Sequence, residues 1–379
     1  MDRAQIAVPA IPAGQARCRA PNASAAAEGV AASAGQRAGL VIMRLLVLGG
    51  TQFLGRAIVD EACSRGYDVT TFSRGLSGHP RPGAEPLRGD RSNPGDLSQL
   101  TRREWDAVID TSVLPPAHVL ASAQALADCA RHYTYISTIS VYASHPAEGV
   151  TEASPVLDCP ADATGAVDSL GYGEAKAGSE RAVGAAFPGR SLIVRPGLIV
   201  GPHENVRWLT WWLERVARGG TVLAPGEPGK RVRMTDVRDL AAWVVDNTRR
   251  GLPATINVPG AGTTFGALLA DCLRLASADG GPHAELRWAA DGDLLAAGVS
   301  PWTELPMWAP DIPEFAGTWE MTGDRARRTG MRYRPLSDTV HDAWLWLKHN
   351  VAAGRPPGPG PLPLGLDPDR EREVLARIG

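Results

Sequence analysis

Residues Arg44 to Gly55, RLLVLGGTQFLG, decide the fold, because an apolar run of strand type breaks into two glycines and then into a helical pattern. Leu45 to Leu48 read as a buried parallel strand, with Gly49 and Gly50 as the tight turn after it. Gly55 marks where the ensuing helix comes close to the sheet, its first amides facing outward toward a pyrophosphate. The stretch Gly49, Gly50, Thr51, Gln52, Phe53, Leu54 and Gly55 is therefore the candidate dinucleotide loop. Gln52 stands where a second glycine usually lets backbone approach phosphate, so either the loop shifts slightly or binding weakens. The bland alternative is a glycine turn joining a core strand to a helix.

From Met43 onward the pattern alternates regularly. Strands are expected at 44–48, 68–72, 85–88, 107–110, 133–137 and 191–195, with helices at 54–65, 116–131 and from Tyr172 to about Phe187. Such alternation predicts an α/β chain: a Rossmann-type doubly wound parallel sheet with a smaller C-terminal substrate-binding lobe. The dinucleotide-binding core is expected over 43–202, and a mixed segment over 203–352 returns to the core and forms the lobe. Residues 353–379 read as a Pro/Gly tether and a short charged helix from Asp367 to Ile378. Residues 1–42, rich in Ala, Gly, Ser, Pro and Arg without an apolar face, are expected to be disordered. Because Met43 stands directly before the first strand, an upstream extension is favoured there over a transit peptide. The Pro- and Asp-rich stretch 143–170 is expected to loop over the active site.

A second feature lies far downstream, at Tyr172-Gly173-Glu174-Ala175-Lys176. Residues four apart share a helical face. An ammonium about 4 Å from a phenol, at an effective dielectric near 20, favours the phenolate by about 4 kcal/mol, close to three pKa units. An isolated pair of this kind is usually an ordinary surface Tyr and Lys. Between the two features, Tyr133 to Tyr142 (YTYISTISVY) places hydroxyls at the end of a central strand, where open α/β sheets bind ligands.

Taken together, GGTQFLG, STISVY, YGEAK, RPGLIVGP (Arg195 to Pro202) and VRDLA (Val237 to Ala241) resemble the extended short-chain dehydrogenase/reductase family, in a GGTxFLG variant subgroup. The resemblance implies hydride transfer between C4 of a nicotinamide and a carbonyl or carbinol carbon of a small molecule. It implies Tyr172 as general acid/base, Lys176 as the group that lowers its pKa and holds the nicotinamide ribose, and Thr138 as hydroxyl partner. It further implies Ser137 as a second donor to substrate and Pro196 as a cofactor contact. Departures narrow the chemistry. Ile139 and Ser140 occupy the places of the Asp-Glu pair of dehydratases, and neither titrates. Counting seven residues back from Asp239, where sugar-nucleotide epimerases carry a diphosphate-binding arginine, reaches Val232, with Arg231 and Arg233 flanking it as substrate candidates. Whether the net reaction is reduction, oxidation or epimerisation stays open.

The second strand ends in Ser73-Arg74, whereas NAD-specific folds place an acid there; Arg74 attracts a 2′-phosphate and favours NADP, with NAD as second choice. Asp90 and Arg91 resemble the family's adenine-contacting segment, the alternative being an Asp that caps the next turn. The GGTxF(L/I)G variant also occurs in chloroplast stem-loop-binding proteins that act on RNA, so a catalytically silent binding protein remains the competing reading.

Composition favours the enzyme. Lys plus Arg number 39 against 41 Asp plus Glu, so no strong positive field favours nucleic acid, and none is expected as partner. No apolar run approaches the ~20 residues of a membrane span. The five cysteines, Cys18, Cys63, Cys129, Cys159 and Cys272, show no CxxC, and the eight histidines no HExxH; no metal is expected, and a reducing cytoplasm is the expected location. An oligomer, if formed, is expected to be a homodimer. Trp208, Trp211 and Trp212 fall on a helical pattern read as core. The proline-fixed loop SPWTELPMWAP, Ser300 to Pro310, is expected to line a cleft, with Trp302 as a substrate contact.

Overall fold

The computed structural model describes residues 42–355, 360 and 363–378. The N-terminal extension, Ile42 apart, and most of the Pro/Gly tether lie outside the described residues. Strands β1 (Arg44–Leu48), β2 (Asp68–Ser73), β3 (Ala84–Arg88), β4 (Ala107–Asp110), β5 (Tyr133–Ile136) and β6 (Ser191–Pro196) fall where the sequence predicted. They are joined by β7 (Ile199–Val200), β8 (Gly220–Pro225), β9 (Arg231–Asp236), β10 (Ala254–Val258), β11 (Ala261–Thr264) and β12 (Ala284–Ala289). One parallel sheet runs β10-β6-β5-β4-β1-β2-β3. Every residue of β4 and β5 is buried, as an apolar run covered on both faces requires. At the far edge β3 carries Pro86, tolerated where one side needs no ladder donor.

Helix α1 (Phe53–Ser64) and the Val237–Arg249 helix cover one face, burying Ile58, Val59, Leu240 and Val244. The Pro116–Leu126 and Tyr172–Ala186 helices cover the other with Val119, Leu126, Ala182 and Val183. The first of these ends five residues sooner than expected, because Cys129 and Arg131 bond to Trp105 backbone and draw the chain into register for β5. The stretch 143–170 is strapped down rather than free: Arg181 donates to the carbonyls of Cys159 and Leu157, and Ala117 N to Ala163 O.

The C-terminal lobe gathers the β8–β12 pair, the β7–β9–β11 sheet and the helices Trp208–Ala217, Phe265–Ala278, Leu336–Ala352 and Pro368–Arg377 around one core. Trp211 and Trp212 belong to that core, as their spacing predicted. The Ser300–Pro310 loop departs from its expected role. Leu305, Met307 and Trp308 are fully buried, and Trp308 Nε1 donates to Asp291, so the second half of the loop is a core plug while Pro301 to Glu304 stay half-buried.

The terminal helix is docked. Asp367 caps its first amides, and Glu371 reaches inward to Arg215 Nε (2.6 Å) and Leu223 N (3.0 Å). A charge buried this deeply stands only while its partner does. Glu371→Ala should therefore lower the unfolding free energy by about 3–5 kcal/mol, measured by urea denaturation, by leaving Arg215 unpaired.

Candidate active site

The outward connections from β1 and from β4 run in opposite directions along the sheet, which leaves a crevice above their C-terminal ends. Gly49 and Gly50 turn there with φ of +110° and +93°, conformations that side chains rarely adopt. A Cβ on Gly55 would stand 2.8 Å from the Gly50 nitrogen, so the helix rests backbone against backbone on the turn. Gln52 takes extended backbone, is exposed, and makes no capping bond, so its side chain does not occupy the first amides of α1. A positive-φ glycine turn followed by an uncapped helix N-terminus fits the pyrophosphate of a dinucleotide.

Across the crevice, Thr138 ends the β5 segment and caps a short turn over Ile139–Val141, accepting from Ser140 N at 3.1 Å. Tyr172 opens its helix directly after Gly171, whose φ of +92° swings the chain into place. Burial raises the Tyr172 phenol above its usual value, and the nearby Thr138 hydroxyl partly offsets this. Lys176, one turn on, is 3 % exposed. Its Nζ donates to Ile136 O (2.6 Å) and Ser112 O (2.9 Å) and lies 4.7 Å from the Tyr135 ring centre. Burial lowers its pKa to about 8, opposed by Asp110 and Glu180.

The expected ammonium–phenol effect is thus corrected. Two carbonyls hold the ammonium, burial dominates the phenol, and Tyr172 stands above rather than below its ordinary range. Helical spacing put both groups on one face; the strand-end carbonyls decided where the ammonium points.

Other candidates divide. Arg74 is exposed beyond β2 and faces Asp90, whose carboxyl is held below its usual range mainly by Ser92 and also by Arg74. Arg91, expected beside the adenine, is instead buried, donating to both oxygens of Asp110 and to the Ser112 and Ser122 hydroxyls. Ser137, expected as a donor to substrate, is turned inward and bonds Glu180, which also pairs with Arg195. Pro196 is buried as the last residue of β6. Neither flanking arginine is unengaged: Arg231 pairs with Glu320, and Arg233 donates to the carbonyls of Trp319 and Met321. Val232 between them is fully buried. Trp302 is half-buried between Trp208 and Trp319, with ring centres 5.8 and 5.5 Å away. The Trp319 segment lies against the loop after Thr138, since Gly317 N donates to His145 O and Thr322 N to Val150 O.

Asp110 was not singled out from the sequence. Its signal was a carboxylate closing the apolar strand AVID, followed by two hydroxyl residues. Among the described residues no cluster of His, Cys, Asp or Glu could hold a metal ion, and no helix is long and apolar enough to cross a membrane.

Sheet order, glycine turn and the Thr138–Tyr172–Lys176 constellation define a Rossmann-type protein of the short-chain dehydrogenase/reductase class. The chain belongs to the NAD dependent epimerase/dehydratase family, whose sequence profile matches residues 45–258. Its fold resembles that of the Bordetella bronchiseptica enzyme WbmH in complex with NAD+, at a TM-score of 0.60 and 17% identity over 81% of this chain and 98% of that one. It likewise resembles the Thermus thermophilus UDP-glucose 4-epimerase complex with NAD, at a TM-score of 0.55 and 17% identity over 80% and 98%. In sequence it is 27% identical over 228 residues to a 2-alkyl-3-oxoalkanoate reductase of Stenotrophomonas maltophilia (strain K279a). That match takes in 52% of this chain and 63% of the relative's length.

Gly55→Ala forces a methyl group into the Gly50 backbone. It should weaken nicotinamide-dinucleotide affinity by roughly tenfold or more in a fluorescence titration, and cost about 1–3 kcal/mol of stability.

Proposed function

We propose that the protein is an NADP-preferring oxidoreductase that reduces a small carbonyl compound, with Tyr172 as the proton donor. The observation that carries this reading is the Lys176 ammonium, buried and fixed by the Ile136 and Ser112 carbonyls one helical turn from Tyr172, whose phenol lies near the Thr138 hydroxyl. The bound dinucleotide supplies the hydride. Tyr172 gives its proton to the carbonyl oxygen, and Thr138 shares in orienting that oxygen. The third Lys176 N–H has no hydrogen-bond partner among the described residues and is suited to a ribose hydroxyl.

A phenol at or above its ordinary value is protonated at neutral pH, which is the form that proton donation in the reductive direction needs. Alcohol oxidation by the same residues needs the phenolate, so it should quicken as pH rises. Reduction should stay flat through neutrality and fall only once the phenol begins to ionise. Opposite pH slopes in the two directions are the expected result; parallel slopes would exclude Tyr172 as the titrating group. Tyr172→Phe should keep dinucleotide binding and lose about 10²–10⁴-fold in turnover.

Arg74 supports the NADP preference, since β2 itself ends in Ser73-Arg74 rather than in an acid and the Arg74 side chain is exposed, with Asp90 as its acidic neighbour. Arg74→Glu should cost roughly tenfold to a hundredfold in NADPH affinity while sparing NADH, because one charge-assisted contact is replaced by repulsion.

For the substrate, engaged Arg231 and Arg233 and a buried Val232 speak against a sugar nucleotide, whose diphosphate needs a cation. The Trp302 ring, half-buried between Trp208 and Trp319 in a part of the lobe whose Trp319 segment packs on the loop after Thr138, supports a carbonyl compound with an apolar part. The name of the Stenotrophomonas relative, a reductase of an alkyl-bearing oxo acid, points the same way. NADPH oxidation with alkyl oxo-acid substrates and none with UDP-sugars is the expected outcome of a substrate screen.

A further inference from the structure

Between the glycine turn and Lys176 lie three residues, Asp110-Thr111-Ser112, that continue β4 out of the sheet. Lys176 takes one of its carbonyl anchors from β5, where Ile136 is fixed by its strand. The other, Ser112 O, lies beyond the end of β4 with no ladder to place it. Asp110 places it instead. Its Oδ1 accepts from Ser112 N (3.0 Å) and Ser112 Oγ (2.6 Å), closing a tight side-chain turn that aims the Ser112 carbonyl at the ammonium.

Asp110 is itself held from every side. Oδ1 also accepts from Arg91 Nη1 (2.9 Å), and Oδ2 from Arg91 Nη2 (2.7 Å) and the Tyr133 hydroxyl (2.7 Å). Arg91 Nε is fixed on the Ser122 hydroxyl, and Ser122 on His118 O. The carboxylate is fully buried with all its acceptor sites filled. Thr111, between the two bonded residues, points the other way: its Oγ1 would be 2.5 Å from a Cβ on Gly49 and 3.0 Å from one on Gly55. One three-residue bracket therefore touches both halves of the site. A buried ion pair is an expensive means of stability, and well-fitting apolar side chains commonly serve as well. Its geometry here serves alignment.

We propose that Asp110 is a positioning residue: it fixes the Ser112 carbonyl on Lys176 while the adjoining Thr111, bonded through its N and Oγ1 to Leu48 O, sits under the glycine turn, and so it holds the proton-donating end in register with the dinucleotide cradle. This rests on the proton-donor reading of Tyr172 and Lys176. Around the Lys176 ammonium stand Asp110 and Glu180, which favour its charge, Arg91, which opposes it, and the Tyr135 ring.

The chain has three lysines, Lys176, Lys230 and Lys348, so protein labelled with ¹³C at lysine Cε gives three side-chain signals. Asp110→Asn keeps the shape but removes the charge and loosens the Ser112 turn. In the folded variant the Lys176 signal should titrate lower than in the parent by about one pH unit, with kcat reduced roughly tenfold to a hundredfold. Ser112→Ala removes only the hydroxyl contacts and should move the same signal in the same direction by less. If Asp110→Asn does not fold, Ser112→Ala decides alone. A folded variant that loses stability while the Lys176 titration and kcat stay at parental values makes the bracket merely structural and overturns the proposal. Full turnover in Tyr172→Phe would instead sink the proton-donor reading, and the lysine titration would still report on the bracket.

Discussion

Neighbouring strands whose connections leave in opposite directions cannot both be roofed by the same helix, and β1 and β4 are such a pair. The opening between them is the constraint on which the site depends. On one lip α1 rests on the Gly50 backbone with no room for a side chain at Gly55. On the other, Asp110 closes β4 with a buried charge, and Thr138 and Tyr172 stand past the end of β5. A buried polar cluster gathers here, because parallel strands leave their last carbonyls unladdered at this end and something must satisfy them. Lys176 does so for Ile136 and Ser112.

Burial and charge compete throughout the crevice, and their balance differs from group to group. Arg91 and Asp110 are both taken out of water, yet Asp110 remains below the usual carboxylate range because the guanidinium and the Ser112 turn outweigh its desolvation. Lys176 has two backbone carbonyls and the Tyr135 ring in direct contact but no carboxylate, and burial lowers its pKa to about 8. Tyr172 has only a hydroxyl, and its phenol is raised. A protonated tyrosine beside a lysine close to neutrality suits proton donation to a carbonyl.

Much of this was legible in order. The glycine turn, six sheet strands and the Tyr172 helix could be read because apolar runs, glycines and helical spacing are local signals that a parallel sheet leaves intact. The Trp211–Trp212 core could be read for the same reason. Side-chain direction was not legible. Arg91, Ser137, Arg231 and Arg233 each sit where a ligand contact was expected, and each is engaged by a residue distant in sequence: Asp110, Glu180, Glu320 and the backbone near Trp319.

By itself, then, the sequence determined the sheet, its crevice and the identity of the groups beside it, since those follow from periodicity and from the backbone freedom of glycine. Only the tertiary structure decided which of those groups face the crevice and in what protonation state. An arginine, serine or lysine satisfies its hydrogen bonds with whatever acceptors the fold brings within about 3 Å, and those acceptors lie anywhere along the chain. Burial, set by the assembled layers, then outweighed the single helical turn separating Tyr172 from Lys176.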